Sequence, residues 1–336
     1  MNSFLGRRLL TAVPVLVLVL LMIFTLARNL PGDPAVALLG PDASEQQISA
    51  LRSQLQLDQP LYVQFGAYLG RLAHGDLGMS LKTGQPVLTE IARRLPATLE
   101  LTVLATLLAL LVGIPMGMVA AMRVDSLLDQ ALRVLSLAGV SMPAFVLALM
   151  LQTLFSIHLG WLPISGRTSP YYITEPVTGL ATLDFLLAGQ PAAAWDACLH
   201  LLMPTLVLGS FLAAVVARYV RNSLLEALGE PFVRTARAKG LGEWRVVGVH
   251  ALRNALLPAI TVIGLHFADM LGGAILTETV FAWPGVGRFM LDAIHNRDYP
   301  VLQGTTLVFA LLYMLVSLLV DLLYGVADPR LRHRGH

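Results

Sequence analysis

Three ionisable side chains near the end of one apolar stretch have the spacing of a binding site. His266 and Asp269 are three residues apart and would share one face of a helix. Glu278 follows nine residues after Asp269, about two and a half turns further along. Ionisable groups in such surroundings are the first candidates for a substrate or ion path. Two alternatives stay open: His266 as a packed, hydrogen-bonded histidine, and Glu278 as a residue that orients the following loop.

A second chemically distinctive group is a basic segment, in which seven lysines and arginines fall within residues 218–253. Pro231 can open a helix with a body at 232–239, and Gly240 can end it. Another short helix is predicted at about 243–254. A helix, a glycine turn and a helix would form a compact basic projection suited to a cleft on a partner protein. The alternative is a loop that fixes topology and contacts anionic lipid.

The composition indicates which solvent surrounds these residues. Of the 336 residues, 56% are hydrophobic and 13% are charged, against roughly 25% charged in a typical soluble domain. The mean hydropathy is +0.71, which predicts that a bilayer solvates much of the chain. A net charge of +2 and 7% aromatic residues disfavour nucleic-acid binding. The single cysteine, Cys198, excludes an intrachain disulfide and a cysteine-based metal cluster.

Six charge-poor stretches are long enough to cross a membrane, because a charge at the bilayer centre is costly and a span needs about 20 residues. The first could instead be a cleaved signal peptide, but it exceeds the usual apolar core of such peptides and lacks a small-residue cleavage site. Breaks or bends are predicted at Met142-Pro143, Met203-Pro204 and Gly272-Gly273, and close helix contact at Gly113 and Gly117. The six stretches are 9–27, 101–122, 134–161, 199–217, 254–277 and 299–320.

The distribution of basic residues predicts the orientation. Fourteen of the 23 lysines and arginines fall in the termini and the connections on one side, which the positive-inside rule assigns to the cytoplasm. Both termini are therefore predicted inside. The connections 28–99, 162–200 and 278–298 are then outside, with an amphipathic helix predicted at 44–57 and a short helix near Leu183.

The basic segment carries a resemblance to a known family. The run Arg234-Thr-Ala-Arg-Ala-Lys-Gly-Leu, followed by His250-Ala-Leu-Arg-Asn-Ala-Leu-Leu-Pro, resembles the cytoplasmic coupling loop of ABC importer permeases. The similarity is greatest to the dipeptide, oligopeptide and nickel branch. The general family loop begins Glu-Ala-Ala and contains a downstream glycine; here Arg234, Thr235 and Ala236 take the first places and Gly240 the glycine. The departure at the first two places is common in this branch.

Further motifs of the same branch recur in order along nearly the whole chain, which makes the resemblance specific. They are Leu30-Pro-Gly-Asp-Pro, Gly75-Asp-Leu-Gly with Ser80, Leu95-Pro-Ala-Thr-Leu-Glu, Ser141-Met-Pro, Thr277-Glu-Thr-Val-Phe with Trp283-Pro-Gly-Val-Gly-Arg, and Asp328-Pro-Arg.

The resemblance implies an all-α polytopic membrane protein with the type I ABC importer permease fold, in the bacterial cytoplasmic (inner) membrane. Its implied organisation is an N-terminal helix and outer segment (1–95), a five-helix core (96–327) with a coupling loop at about 218–254, and a cytoplasmic tail (328–336). Its implied partners are a second homologous permease, two cytoplasmic ATPase subunits and an extracytoplasmic substrate-binding protein. The implied ATPase-coupling residues are Arg234, Thr235, Ala236, Arg237, Ala238, Lys239, Gly240 and Glu243.

The same resemblance predicts that Ala236, Lys239 and Gly240 enter the ATPase cleft, with Arg237 and Glu243 making polar contacts around it. The sequence contains no GxxxxGK[ST] motif, so ATP and Mg²⁺ are expected in partner subunits and no cofactor or metal in this chain. The expected role is a non-catalytic permease for di- or oligopeptides. Nickel or another metal chelate, or glutathione, is the alternative cargo. A stand-alone secondary transporter is disfavoured by the basic segment and the scarcity of buried charge.

Overall fold

A computed structural model describes residues 2–29, 34–40, 43–54 and 57–327, and helices dominate these ranges. They contain no β-strand, only an isolated bridge between Met79 and Pro86. The predicted motifs at 30–33 and 328–330 and the predicted tail lie outside the described residues. The helices are α1 (Asn2–Asn29), α2 (Pro34–Leu39), α3 (Glu45–Gln54), α4 (Leu61–Ala73), α5 (Val87–Met122), α6 (Leu127–Ser141), α7 (Ala144–Leu151), α8 (Ala181–Leu187), α9 (Pro191–Gly229), α10 (Pro231–Ala238), α11 (Glu243–Arg245), α12 (Leu252–Gly273), α13 (Ile275–Val280), α14 (Val286–Asn296) and α15 (Tyr299–Ala327), with π-helices at Gln152–His158 and Val246–Ala251.

Three of these helices are long and apolar enough to cross a membrane: α5, α9 and the Tyr299–Leu323 part of α15. Two further candidates are bent pairs. Leu127–Gly139 and Ala144–His158 meet at 99°, and Glu243–Leu256 and Pro258–Gly272 meet at 57°. Counting each bent pair as one span gives up to five spans in the described part of the chain. A shorter apolar helix, Val13–Leu26, lies within the first predicted stretch.

The predicted break at Met142-Pro143 is confirmed. α6 ends at Ser141, Met142 is extended with φ −80° and ψ 123°, and α7 begins directly after Pro143. The physical reason is the proline ring, which disfavours a helical conformation in the residue before it.

The predicted break at Met203-Pro204 is wrong, because α9 continues through Pro204 as one helix of 39 residues. A proline inside a membrane helix is tolerated where neighbouring groups satisfy the freed backbone carbonyl. The short helix predicted at about 243–254 is confirmed: α11, the second π-helix and the start of α12 form a continuous helical segment, Glu243–Leu256, which meets Pro258–Gly272 at the 57° bend.

The chain forms two compact units. One contains the chain up to Pro96 together with Gly285–Met314, and here Phe24 of α1 packs against Phe65 and Tyr68 of α4. In the loop between α4 and α5 the Ser80 hydroxyl donates a 2.6 Å hydrogen bond to the buried carboxylate of Asp298. This contact explains the serine in the Gly75-Asp-Leu-Gly motif in physical terms: it ties the loop to the segment before α15.

The other unit contains Ala97–Pro284 and the chain from Leu315 onward, and its core is the close contact of α5 with α9. Gly113 and Gly117 of α5 lie against this neighbour. A Cβ atom at Gly117 would fall 2.6 Å from the carbonyl oxygen of Ala217 and 2.8 Å from the Cβ atom of Val220. The predicted close helix contact at this glycine pair is therefore confirmed.

Candidate functional site

The basic segment forms a short helix and a glycine turn. α10 begins at Pro231, where the missing amide hydrogen costs nothing, and Lys239 is its C-terminal cap. Gly240 follows with φ +75°, the left-handed conformation that favours glycine, and its amide donates to the carbonyl of Arg237 at 2.9 Å. The helix predicted at 232–239 and its glycine stop are thus confirmed to within a residue.

α10 has one buried and one exposed face. Val233 and Ala236 pack beneath it, in a cluster to which α9 contributes Leu224 and the second π-helix contributes Val246 and Val247. The sequence predicted Ala236 in a partner's cleft, but its side chain faces the body of the chain, so its structural role is to anchor the helix. The outward residues are Arg234, Thr235, Arg237, Ala238, Lys239 and Gly240, all exposed.

Arg237 and Glu243 pair with each other across the glycine turn. The Nε atom of Arg237 donates to Oε2 of Glu243 at 3.1 Å, and about half of each side chain is exposed. The hydrogen bond to Glu243 raises the pKa of the Arg237 guanidinium above its ordinary value. The pair joins α10 to α11 and so stabilises the turn that presents Lys239 and Gly240.

Two exposed aromatic residues flank this surface and were missed by the sequence reasoning. Trp244 is 68% exposed and Phe232 is 39% exposed. Tryptophan is enriched among the residues that dominate binding energy at protein interfaces. The signal was available in the sequence as a lone tryptophan within a basic segment, but its exposure depends on the packing of α11.

His266 and Asp269 lie on one face of α12, as predicted. Nδ1 of His266 is 3.6 Å from Oδ2 of Asp269, and the Asp269 side chain is 59% exposed. The ring of Phe211 from α9 meets the His266 ring edge to face, with centroids 6.2 Å apart. The exposed Asp269 carboxylate, beside His266, is a suitable partner for a cationic group of a ligand.

Glu278 lies elsewhere, on α13, and is fully buried. Its Oε1 accepts a 2.7 Å hydrogen bond from the hydroxyl of Thr98. Nearby, the indole of the buried Trp283 donates to the carbonyl of Ala97 at 2.9 Å. These contacts favour the structural interpretation, in which Glu278 orients the loop that follows it. The structure therefore joins His266 with Asp269 but places Glu278 in a separate environment.

The Leu95-Pro-Ala-Thr-Leu-Glu motif supplies a second buried carboxylate. Oε1 of Glu100 accepts from the hydroxyl of Thr182 at 3.0 Å, and its Oε2 accepts from Nε of Arg167 at 3.2 Å. The motif thus holds the loop after the first π-helix in place. In the part of the chain that the structure describes, no group of three or more His, Cys, Asp and Glu residues could hold a metal ion.

Comparison with known proteins identifies the family. Residues 113–333 match the model of the binding-protein-dependent transport system inner membrane component, and residues 1–102 match the N-terminal model of the same systems. The chain belongs to this family. The permease is 48% identical over 335 residues to the di/tripeptide transport system permease protein DppB of Pseudomonas aeruginosa, with 99% of this chain and 100% of that protein covered.

Two other relatives cover the permease equally well. It is 45% identical to the dipeptide transport system permease protein DppB of Escherichia coli K12, over 99% of this chain and 100% of that protein. It is 40% identical to the glutathione transport system permease protein GsiC of Salmonella choleraesuis, with the same coverage.

The fold also matches a solved transporter. The permease is similar to a chain of the inward-facing MetNI methionine ABC transporter, with a TM-score of 0.53 and 17% identity, covering 72% of this chain and 97% of that one. The prediction of an ABC importer permease fold is confirmed. Family membership makes the protein a non-catalytic, multi-pass transport subunit that works with ATPase and substrate-binding partners.

Proposed function

We propose that this permease forms, with a second permease, the path by which di- or oligopeptides cross the bacterial cytoplasmic membrane. The observation that carries the substrate class is full-length identity of 44–48% to permeases of dipeptide and di/tripeptide systems. The glutathione permease, at 40%, is a more distant relative. Glutathione is itself a small peptide, so its transporter is consistent with the same class of cargo.

The proposed topology has six spans with both termini in the cytoplasm. The long and bent helices support five spans, and the apolar helix Val13–Leu26 supports the sixth. The concentration of arginine and lysine in residues 218–253 supports a cytoplasmic position for α10 and α11.

The proposed coupling surface is the exposed side of α10 and its glycine turn. Three of its side chains, Arg234, Arg237 and Lys239, are basic and exposed, and the buried face beneath them packs against α9 and the second π-helix. Two ATPase subunits bind ATP and Mg²⁺ and dock here, while a substrate-binding protein docks outside. Closure of the ATPases then moves α10 as a rigid body together with the membrane helices that it contacts.

Replacing Gly240 with aspartate is expected to abolish peptide-stimulated ATP hydrolysis by the reconstituted importer, while membrane insertion stays normal. The substitution strains a left-handed backbone and places a negative charge on the basic surface. The measurement is phosphate release with and without loaded binding protein.

Gly229→Asp is the matched control, because Gly229 is exposed, has open space around its Cβ position and lies outside the docking surface. It adds the same charge without the strain and should keep stimulation. Stimulated hydrolysis in Gly240→Asp at the level of Gly229→Asp would refute the proposed coupling surface.

Asp269→Asn is expected to reduce peptide uptake roughly tenfold or more, because a charge-assisted hydrogen bond to the ammonium group of a peptide contributes ~1.5–3 kcal/mol. The measurement is the uptake of a labelled dipeptide by cells or vesicles that contain equal amounts of the permease. Glu226→Gln removes an exposed carboxylate from α9 at the cytoplasmic end and should transport normally. Uptake in Asp269→Asn equal to that of Glu226→Gln would remove Asp269 from the path.

A further inference from the structure

A cavity of about 310 Å³ lies between the last turns of α5, the middle of α6 and residues 214–222 of α9. Its walls are mostly apolar: Met116 and Ala120 come from α5, Leu132 and Leu137 from α6, and Ala214 from α9. The topology proposed above places this cavity in the cytoplasmic leaflet, where lipid reaches it. Walls of this kind suit a hydrocarbon chain.

Three arginines line the same cavity, and they differ in how they are neutralised. Arg221 donates from Nε and Nη2 to the buried carboxylate of Asp129 at 2.7 and 2.8 Å. Arg133 lies 3.3 Å from that carboxylate and 3.6 Å from the exposed Asp125. Arg218 is exposed, and no carboxylate in the described ranges pairs with it. The cavity mouth therefore has an excess of positive charge, with Arg221 held in a fixed position.

The combination of guanidinium groups and apolar walls matches one class of ligand. Guanidinium groups bind phosphate oxygens through paired hydrogen bonds. Basic pockets between membrane helices on the cytoplasmic side favour anionic lipid headgroups. The ammonium group of a zwitterionic headgroup would be repelled by the same arginines.

We propose that this cavity binds one anionic phospholipid of the cytoplasmic leaflet. Its phosphate lies at Arg218 and Arg133, and one acyl chain follows the apolar walls between α5 and α6. The lipid would then fill the space beside α9, whose cytoplasmic end leads directly into α10.

The test measures lipid bound to the assembled importer and needs no transport. The importer is reconstituted in discs of phosphatidylglycerol and phosphatidylcholine in equal parts, re-extracted in mild detergent, and examined by native mass spectrometry for retained lipid. The wild-type complex is expected to retain phosphatidylglycerol in preference to phosphatidylcholine. Arg218→Gln should lower this retention about fivefold, which corresponds to ~1 kcal/mol for one basic side chain near anionic lipid.

Two further variants separate the effect of charge from the effect of space in the cavity. Arg218→Lys keeps the charge and should retain most of the lipid, while Ser136→Phe keeps every charge but fills the cavity and should lose it. Arg253→Gln is the matched control, because Arg253 is exposed on the same side and does not line the cavity. Its retention should equal that of the wild type.

Three results would overturn the proposal. One is unchanged phosphatidylglycerol retention in both Arg218→Gln and Ser136→Phe. Another is equal retention of phosphatidylcholine by the wild-type complex. The third is complete displacement of the lipid by excess inorganic phosphate, which would identify a site for a soluble anion.

Discussion

Replacing Asp129 with alanine is expected to destabilise the permease by about 3–5 kcal/mol, the usual cost of removing one partner from a buried ion pair. Asp129 is fully buried and accepts two hydrogen bonds from Arg221, whose side chain is only 15% exposed. Without the carboxylate, this guanidinium stays in a poorly hydrated position with no counter-ion. The measurement is the apparent melting temperature of the purified complex in detergent, supported by its yield in the membrane.

Asp125→Asn is the control for this prediction. Asp125 lies in the same turn but is 82% exposed and 3.6 Å from Arg133, and asparagine tolerates its left-handed backbone (φ +58°), so removing the charge should cost less than about 1 kcal/mol. Replacing Asp129 by leucine and Arg221 by methionine together should recover much of the loss, because an apolar pair leaves no buried charge unpaired. Equal melting temperatures for Asp129→Ala and Asp125→Asn would contradict a stabilising role for the buried pair.

Gly117→Ala is expected to lower the melting temperature through a different mechanism, a steric clash between α5 and α9. The new methyl group would lie 2.6 Å from the Ala217 carbonyl oxygen, a backbone atom that cannot move without shifting a whole helix. Overpacking of this kind costs about 1–3 kcal/mol. The same thermal assay reports this loss.

Gly272→Ala provides a control of opposite sign. Gly272 lies in α12 with nothing within 4 Å of its Cβ position, and alanine is intrinsically favoured over glycine in a helix by about 1 kcal/mol. This variant should be neutral or slightly stabilised. A similar loss in both variants would show that contact with α9 is not the reason glycine occupies position 117.

Local signals in the sequence were sufficient to predict several elements. Pro231 and Gly240 delimit α10 because each acts on its own backbone conformation. Pro143 breaks a helix for the same local reason, whereas Pro204 does not. The difference depends on the surroundings of each proline: α9 is the most buried of the three long candidate spans.

The candidate site was predictable in position but not in orientation. Eight residues of α10 form two faces, and the sequence alone does not say which of them packs against α9. Ala236 was therefore placed outward, although the structure buries it. Glu278 and Thr98 are 180 residues apart, so their hydrogen bond follows only from the tertiary fold. Trp244 was missed for the same reason, because its exposure depends on how α11 packs.

Because α9 continues through Pro204 without interruption, its number of residues fixes the distance between its two ends. Its 39 residues measure about 58 Å, which is nearly twice the ~30 Å thickness of the hydrocarbon core. One continuous helix therefore crosses the bilayer and ends directly before α10. Inserting or deleting one residue in α9 would move α10 by 1.5 Å along the helix axis and rotate it by about 100° around that axis. A loop can accommodate an inserted residue by a local change of shape, whereas an insertion in this continuous helix displaces everything that follows it. The register of α9 therefore determines which way the basic surface faces, independently of the residues on that surface.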